Sequence, residues 1–68
     1  MQISVNGVNK NIESEFLNLE QVLIYENIYN SEGIAVAVNE NIIPRSEWKK
    51  YQIQNNDKII IIKAVQGG

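Results

Sequence analysis

The spacing of apolar residues along this chain switches from two to the helical 3.6 and back again. Ile3 and Val5 alternate with Gln2 and Ser4, the period of two that marks a half-buried strand. Asn6-Gly7 follows, a pair that favours a two-residue hairpin because both residues accept positive φ. Val8 to about Glu13 is then expected to return as a second strand. Leu19, Val22 and Leu23 form an i, i+3, i+4 stripe, the signature of a helix with one apolar face. Asn18 is placed to cap that helix, with Gln21 three residues on and Glu20 in the first turn, where a carboxylate meets the positive end of the helix dipole. Glu26 falls on the stripe while Ile24 and Tyr25 fall off it. The helix is therefore expected to end near Glu26 or Asn27, with Ile28 packing from the loop.

The period of two resumes at Ile34-Ala35-Val36-Ala37-Val38, after turn material at Asn30-Ser31-Glu32-Gly33. Ile34, Val36 and Val38 are expected to face the core. Asn39-Glu40-Asn41 reads as a tight turn into a short strand at Ile42-Ile43, which Pro44 ends because it has no N–H for a ladder. Ser46-Glu47-Trp48-Lys49 is expected to form one capped helical turn that tucks Trp48 against the sheet. Asn55-Asn56-Asp57 is the next turn, and Lys58 to Val65 the last strand. The order is hairpin, helix, strand, short strand, helical turn, strand. It predicts an α+β fold, a mixed sheet of four or five strands packed on one helix with the first and last strands parallel at the centre. That is the β-grasp arrangement. Residues 1–65 are expected to form its one domain and residues 66–68 a flexible tail.

Composition narrows the chemistry. The 68 residues include no cysteine and no histidine, so there is no thiolate nucleophile or ligand, no imidazole base and no disulfide. No phosphate-cradling glycine loop is present either. A self-sufficient enzyme is thereby disfavoured, and no intrinsic cofactor or metal is expected. Residues 1–40 carry six glutamates against Lys10 alone, a balance of −5, while residues 41–68 carry +3. Five scattered basic residues without interleaved aromatics make a poor nucleic-acid footprint, although a basic zone near the C-terminus can orient a protein partner. No apolar run is long enough to span a membrane, and Met1-Gln2-Ile3-Ser4-Val5 lacks the layout of a signal peptide. The expectation is a soluble, cytoplasmic protein that meets neither membrane nor nucleic acid.

The distinctive chemistry lies at the end of the chain, Ala64-Val65-Gln66-Gly67-Gly68. At about 7% glycine usage, two terminal glycines arise by chance in roughly 0.5% of chains. Two readings stand open on the residues alone. One is a frayed end or cloning scar. The other uses what glycine lacks: without Cβ atoms, Gly67 and Gly68 can thread a narrow channel and deliver the Gly68 carboxylate to another protein's active site. A carboxylate is a poor electrophile, so such a carrier needs activation, most simply as an acyl-adenylate. The last strand adds a clue, because Ile59-Ile60-Ile61-Ile62 puts apolar side chains on both faces of a sheet that one helix covers on one face only. Ile59 and Ile61 are expected inside, with Ile60, Ile62 and Ala64 outside, and the opposite parity stays open because Lys63 shares the parity of Ile59 and Ile61. Together with Val65 these outward residues make a candidate docking surface leading to the tail. A strand buried on both faces is the plainer alternative.

Val36-Ala37-Val38-Asn39-Glu40-Asn41-Ile42-Ile43-Pro44-Arg45-Ser46-Glu47-Trp48 resembles the pattern of the thiamine-biosynthesis sulfur carrier proteins (the ThiS family, ubiquitin-like in fold): valine–asparagine, two variable residues, two aliphatics, proline–arginine, two variable residues, tryptophan. The opening strand with Asn6-Gly7, the Leu19/Val22/Leu23 helix and the closing Gly67-Gly68 agree in spacing. Two departures stand out. Asn56-Asp57 replaces the usual Gly-Asp turn, which asparagine's tolerance of the left-handed region allows, and a glycine common before the helix is replaced near Phe16-Leu17. The resemblance implies a relay. A ubiquitin-activating-type adenylyltransferase uses ATP to adenylate Gly68. A sulfur donor fed by a cysteine desulfurase converts it to a thiocarboxylate, and thiazole synthase takes the sulfur into the thiazole ring. Alternatives are a molybdopterin-synthase small subunit, a ubiquitin-like modifier that forms isopeptide bonds, and a plain β-grasp interaction module. Within the motif, Trp48 reads first as a packing residue, Arg45 as a solvated or locally bonded charge, and Pro44 and Asn39 as structural.

Overall fold

Each change of period becomes an element boundary. The structure, a computed structural model, describes residues 1–28 and 33–63. Strands β1 (Gln2–Val5) and β2 (Val8–Asn11) form the opening hairpin, followed by helix α1 (Leu19–Tyr25), β3 (Ile34–Val38), β4 (Asn41–Ile42), a 3-10 turn (Arg45–Glu47) and β5 (Lys58–Lys63). The strands form one sheet in the order β2-β1-β5-β3-β4. β1 runs parallel to β5, and β3 is antiparallel to both β5 and β4, so the expected mixed sheet with parallel first and last strands is the one observed.

Helix α1 is short because its caps are strong and close together. Asn18 Oδ1 accepts from Gln21 N–H at 2.8 Å, and Gln21 Oε1 accepts from Asn18 N–H at 2.9 Å, a reciprocal cap whose first half alone is typically worth about 1 kcal/mol. At the other end Asn27 takes φ +61° and Ile28 N–H donates to Leu23 O at 3.0 Å, which closes the helix through a left-handed residue. Leu19, Val22 and Leu23 are buried, Ile24 and Tyr25 exposed. The buried stripe meets Ile3, Val5, Val36, Val38 and Ile59 from the sheet, with Ile43, Trp48 and Ile53 completing the core.

Several expected boundaries move. β2 stops at Asn11, short of Glu13: Ile12 N–H donates to Met1 O, and Ser14 N–H then bonds Ile12 O, so the chain turns where its partner strand begins. The short strand is Asn41–Ile42, not Ile42-Ile43, because the Asn39-Glu40 loop closes so tightly that Asn41 already pairs with Val38. Ile42 consequently faces solvent and Ile43 enters the core. The helical turn starts at Arg45 behind Pro44, with no side-chain cap, so Ser46 is not its N-cap; the fixed φ of Pro44, −60°, sets the entry instead. Ile34, the first residue of β3, is half-buried, whereas Val36 and Val38 are buried. Residues 50–54, which carried no expectation, run antiparallel past the helix start. Asn18 pairs with Gln52, Leu19 N–H donates to Tyr51 O and Ile53 N–H to Leu17 O, and Ile53 is buried. The expected continuation of the last strand to Val65, the domain boundary there and the flexible tail lie outside the described residues, as does most of the turn at Asn30 to Gly33.

Candidate functional site

β5 is the central strand and the one that leads to the chain end. Its alternation is the expected one: Ile59 is fully buried and Ile61 half-buried, whereas Ile60 is 43% and Ile62 60% exposed. One helix covers one face of the sheet, so the other side chains of a doubly apolar strand are left in solvent. The register collects more apolar surface around them. Ile60 stands opposite Ala37 and Ile62 opposite Ala35 on β3, and Ala37 stands opposite Ile42 on β4. Ile42, 72% exposed, was not among the expected docking residues, since its facing depends on the length of the preceding turn. On the same face, the β2–β1 half of the sheet is polar. There Gln2, Ser4, Asn9, Asn11, Asn56 and Lys58 line much of a shallow cleft of ≈ 400 Å³. The outer face is thus divided into an apolar half over β5-β3-β4 and a carboxamide-rich half over the hairpin.

The start of β5 is held by a polar cluster built on one buried carboxylate. Asp57, 8% exposed, accepts from Asn39 Nδ2 at 2.9 Å through Oδ1 and from Gln54 N–H at 2.8 Å through Oδ2. Asn39 Oδ1 in turn accepts from Lys58 N–H at 2.9 Å. A buried carboxylate is tolerable only when its lone pairs are met in this way. Asn56 takes φ +71°, so asparagine fills the left-handed position of the Asn56-Asp57 turn. Gln2 N–H donates to Asn55 Oδ1 at 2.7 Å, tying the same turn to β1.

The motif residues resolve into packing roles. Trp48 is 2% exposed and its Nε1–H donates to Ile43 O at 2.9 Å. The Arg45 guanidinium lies over the indole, 4.6 Å from the ring centroid, within cation–π range. The loop before the helix is closed by Ser14, whose Oγ donates to Phe16 O and accepts from Phe16 N–H, and Phe16 itself is 80% exposed. Among the described residues no three acidic, histidine or cysteine side chains are gathered as a metal would need, and no helix is long and apolar enough to cross a membrane. Of the candidate site residues, Ile60 and Ile62 are side by side on the outer face; Ala64, Val65, Gly67 and Gly68 lie outside the described residues.

Comparison with known proteins agrees with this geometry. The chain is 36% identical over 36 residues to the sulfur carrier protein ThiS of Escherichia coli (strain K12), an alignment spanning 53% of this chain and 54% of that protein. Over all 68 residues it is 37% identical to a Porphyra purpurea protein named "Uncharacterized protein ycf40", covering 93% of it. The crystal structure of the thiamine biosynthesis protein (ThiS) from Geobacter metallireducens superposes over the full length of both chains with a TM-score of 0.86 at 22% identity, which establishes the fold. The ThiS family matches residues 3–68, from the first strand through the terminal Gly67-Gly68, and the chain belongs to that family.

Proposed function

We propose that this protein is a sulfur carrier of thiamine biosynthesis whose working group is the Gly68 carboxylate. The observation that carries this is the family match running through residue 68, on a fold whose central strand leads toward that end. The carrier has no catalytic machinery of its own. An adenylyltransferase of the ubiquitin-activating type transfers AMP from ATP to Gly68 and releases pyrophosphate, turning a poor electrophile into a mixed anhydride. A donor persulfide, charged by a cysteine desulfurase, attacks the activated carbonyl and AMP leaves. Cleavage of the S–S bond by a thiol leaves the thiocarboxylate, which thiazole synthase consumes. Without a cysteine in the chain, the sulfur must arrive from outside. ATP is bound by the partner, not by the carrier, and the cytoplasm supplies both.

Five residues, Ala64 to Gly68, follow β5, and fully extended they reach at most about 18 Å. A channel that admits this length and excludes side chains explains glycine at positions 67 and 68. Ile60 and Ile62, continued by Ala64 and Val65, dock the body of the carrier against its partners, with Ile42 at the border of the same surface.

The test is direct. Carrier mixed with its adenylating partner, ATP and a persulfide donor gains the mass of one oxygen replaced by sulfur. A variant lacking Gly68 folds normally and gains nothing, and Gly67→Val reacts poorly because its branched side chain obstructs the channel. Ile60→Asp or Ile62→Asp keeps the fold and raises the KM of adenylation. An unmodified wild-type chain sinks the carrier reading. A lysine adduct on another protein points to a modifier instead, and transfer of the sulfur only to a molybdopterin precursor keeps the mechanism and changes the pathway.

A further inference from the structure

We infer that the Asn6 carboxamide is a positioning residue for the C-terminal tail: it fixes the stretch of β5 from which residues 64–68 depart. The inference rests on the carrier reading above. The parallel ladder between β1 and β5 is short, with Ser4 opposite Lys58 and Val5 opposite Ile59. Beyond Val5 the chain swings away through Asn6-Gly7 into β2, so past the Asn6 N–H the backbone turns away from β5. Asn6 continues the ladder with its side chain. Its N–H donates to Ile59 O at 2.9 Å, and its Oδ1 accepts from Ile61 N–H at 2.7 Å. The carboxamide oxygen therefore meets the N–H that a next β1 carbonyl would have met had the strand gone on.

An ordinary turn asparagine needs only to tolerate positive φ. Asn6 takes φ +50°, a region open mainly to glycine, asparagine and aspartate, and of these only the last two carry an acceptor. The residue thus meets two separate demands, the turn's and the strand's, and the second reaches across 55 positions of sequence. On its other side β5 is paired with β3 from Ile59 through Lys63. Release of the Asn6 bond leaves residues 61–63 held from one side only. Each strand residue that frays adds up to about 3.6 Å to the span between the fixed body and Gly68. The carboxylate then samples a larger volume around the reacting phosphate, and in-line geometry is met less often.

Asn6→Gly and Asn6→Asp separate this role from simple support of the turn. Both accept the backbone angle; glycine removes the acceptor and aspartate keeps it. Exchange of the Ile61 amide is expected to speed up at least about tenfold in Asn6→Gly, with the Ile60 amide, on the β3 side, unchanged. Adenylation by the partner, followed as ATP–pyrophosphate exchange at saturating carrier, is expected to lose about tenfold in kcat with KM within about twofold of wild type. Asn6→Asp restores both values. Partial unfolding produces a different pattern, because it lowers the effective carrier concentration and raises the apparent KM while leaving kcat alone. Wild-type kcat in Asn6→Gly, an unchanged Ile61 amide, or a loss that Asn6→Asp fails to rescue overturns the inference while the carrier reading stands. A wild-type carrier that is not adenylated at all removes the carrier reading and this inference with it.

Discussion

The two hairpin turns of the sheet share a plan and differ in how firmly they are built. Asn6-Gly7 joins β1 to β2 and Asn39-Glu40 joins β3 to β4; in both, two residues close the loop and both take positive φ, the turn that suits the twist of a hairpin. In both, the asparagine side chain accepts a hydrogen bond from the backbone of β5: Asn39 from Lys58 N–H at its beginning, Asn6 from Ile61 N–H nearer its end. The central strand is thus gripped by two carboxamides from opposite neighbours. The grips are unequal. Both bonds to β5 lie at the surface, but Asn39 also donates to Asp57, a buried carboxylate that accepts a second bond from Gln54 N–H. The second turn residues are unequal in the other direction. Gly7 sits at φ +82° without strain, while Glu40 is held at φ +73°, a conformation that costs a residue with a Cβ about 1–2 kcal/mol. The strong polar cluster beside Asn39 explains why a strained glutamate is tolerated there. The beginning of β5 is welded into the fold, and on the β1 side its tail end is held by one solvent-facing bond.

That contrast predicts a graded set of effects. The largest belongs to Asn39→Ala, which removes both side-chain bonds, puts a residue less tolerant of the left-handed region than asparagine at φ +50° and leaves Asp57 Oδ1 without its donor. We expect a loss of about 2–3 kcal/mol in urea unfolding, and a loss below about 1 kcal/mol would make the two turns equivalent. Next comes the coupling itself. A double-mutant cycle of Asn39→Ala with Asp57→Ala is expected to show roughly 1–2 kcal/mol of interaction, whereas Asn6→Ala with Asp57→Ala should add to within about 0.5 kcal/mol. Gly7→Ala should cost about 1 kcal/mol, read as a fall of about 4–8 °C in Tm. Nothing lies within 4 Å of the added Cβ, so the whole cost is backbone strain, and an unchanged Tm would remove the strain argument from both turns. The smallest effect has the opposite sign: Glu40→Gly relieves strain and gains about 0.5 kcal/mol after the added flexibility of the unfolded chain is subtracted.

The two turns were not equally legible. Asn6-Gly7 announces itself, because both residues accept positive φ. Asn39-Glu40 reads only as a tight turn, since glutamate gives no sign that it will be forced into the left-handed region; the hydrogen bonds around Asn39 impose it. The one-residue shift of β4, which turns Ile42 outward and Ile43 inward, follows from that forced turn. Ile53 entered the core for a similar reason. Its burial depends on residues 51–53 pairing beside 17–19, a contact across more than thirty positions that local patterning does not encode.

The sequence by itself determined what depends on near neighbours along the chain: the opening hairpin, the capped helix with its Leu19/Val22/Leu23 stripe, the β3 alternation, and the absence of thiol and imidazole chemistry. Each follows from backbone preference, side-chain period or residue type, and each is set within a few positions. The tertiary structure decided what depends on which segments meet. It gathered Ile42 with Ile60 and Ile62 through the β4-β3-β5 register, enclosed Asp57 between Asn39 and Gln54, and brought Asn6 to Ile61. A carboxamide has no preference for a particular strand until the fold sets an unpaired N–H in front of it, and only packing fixes where that N–H will be.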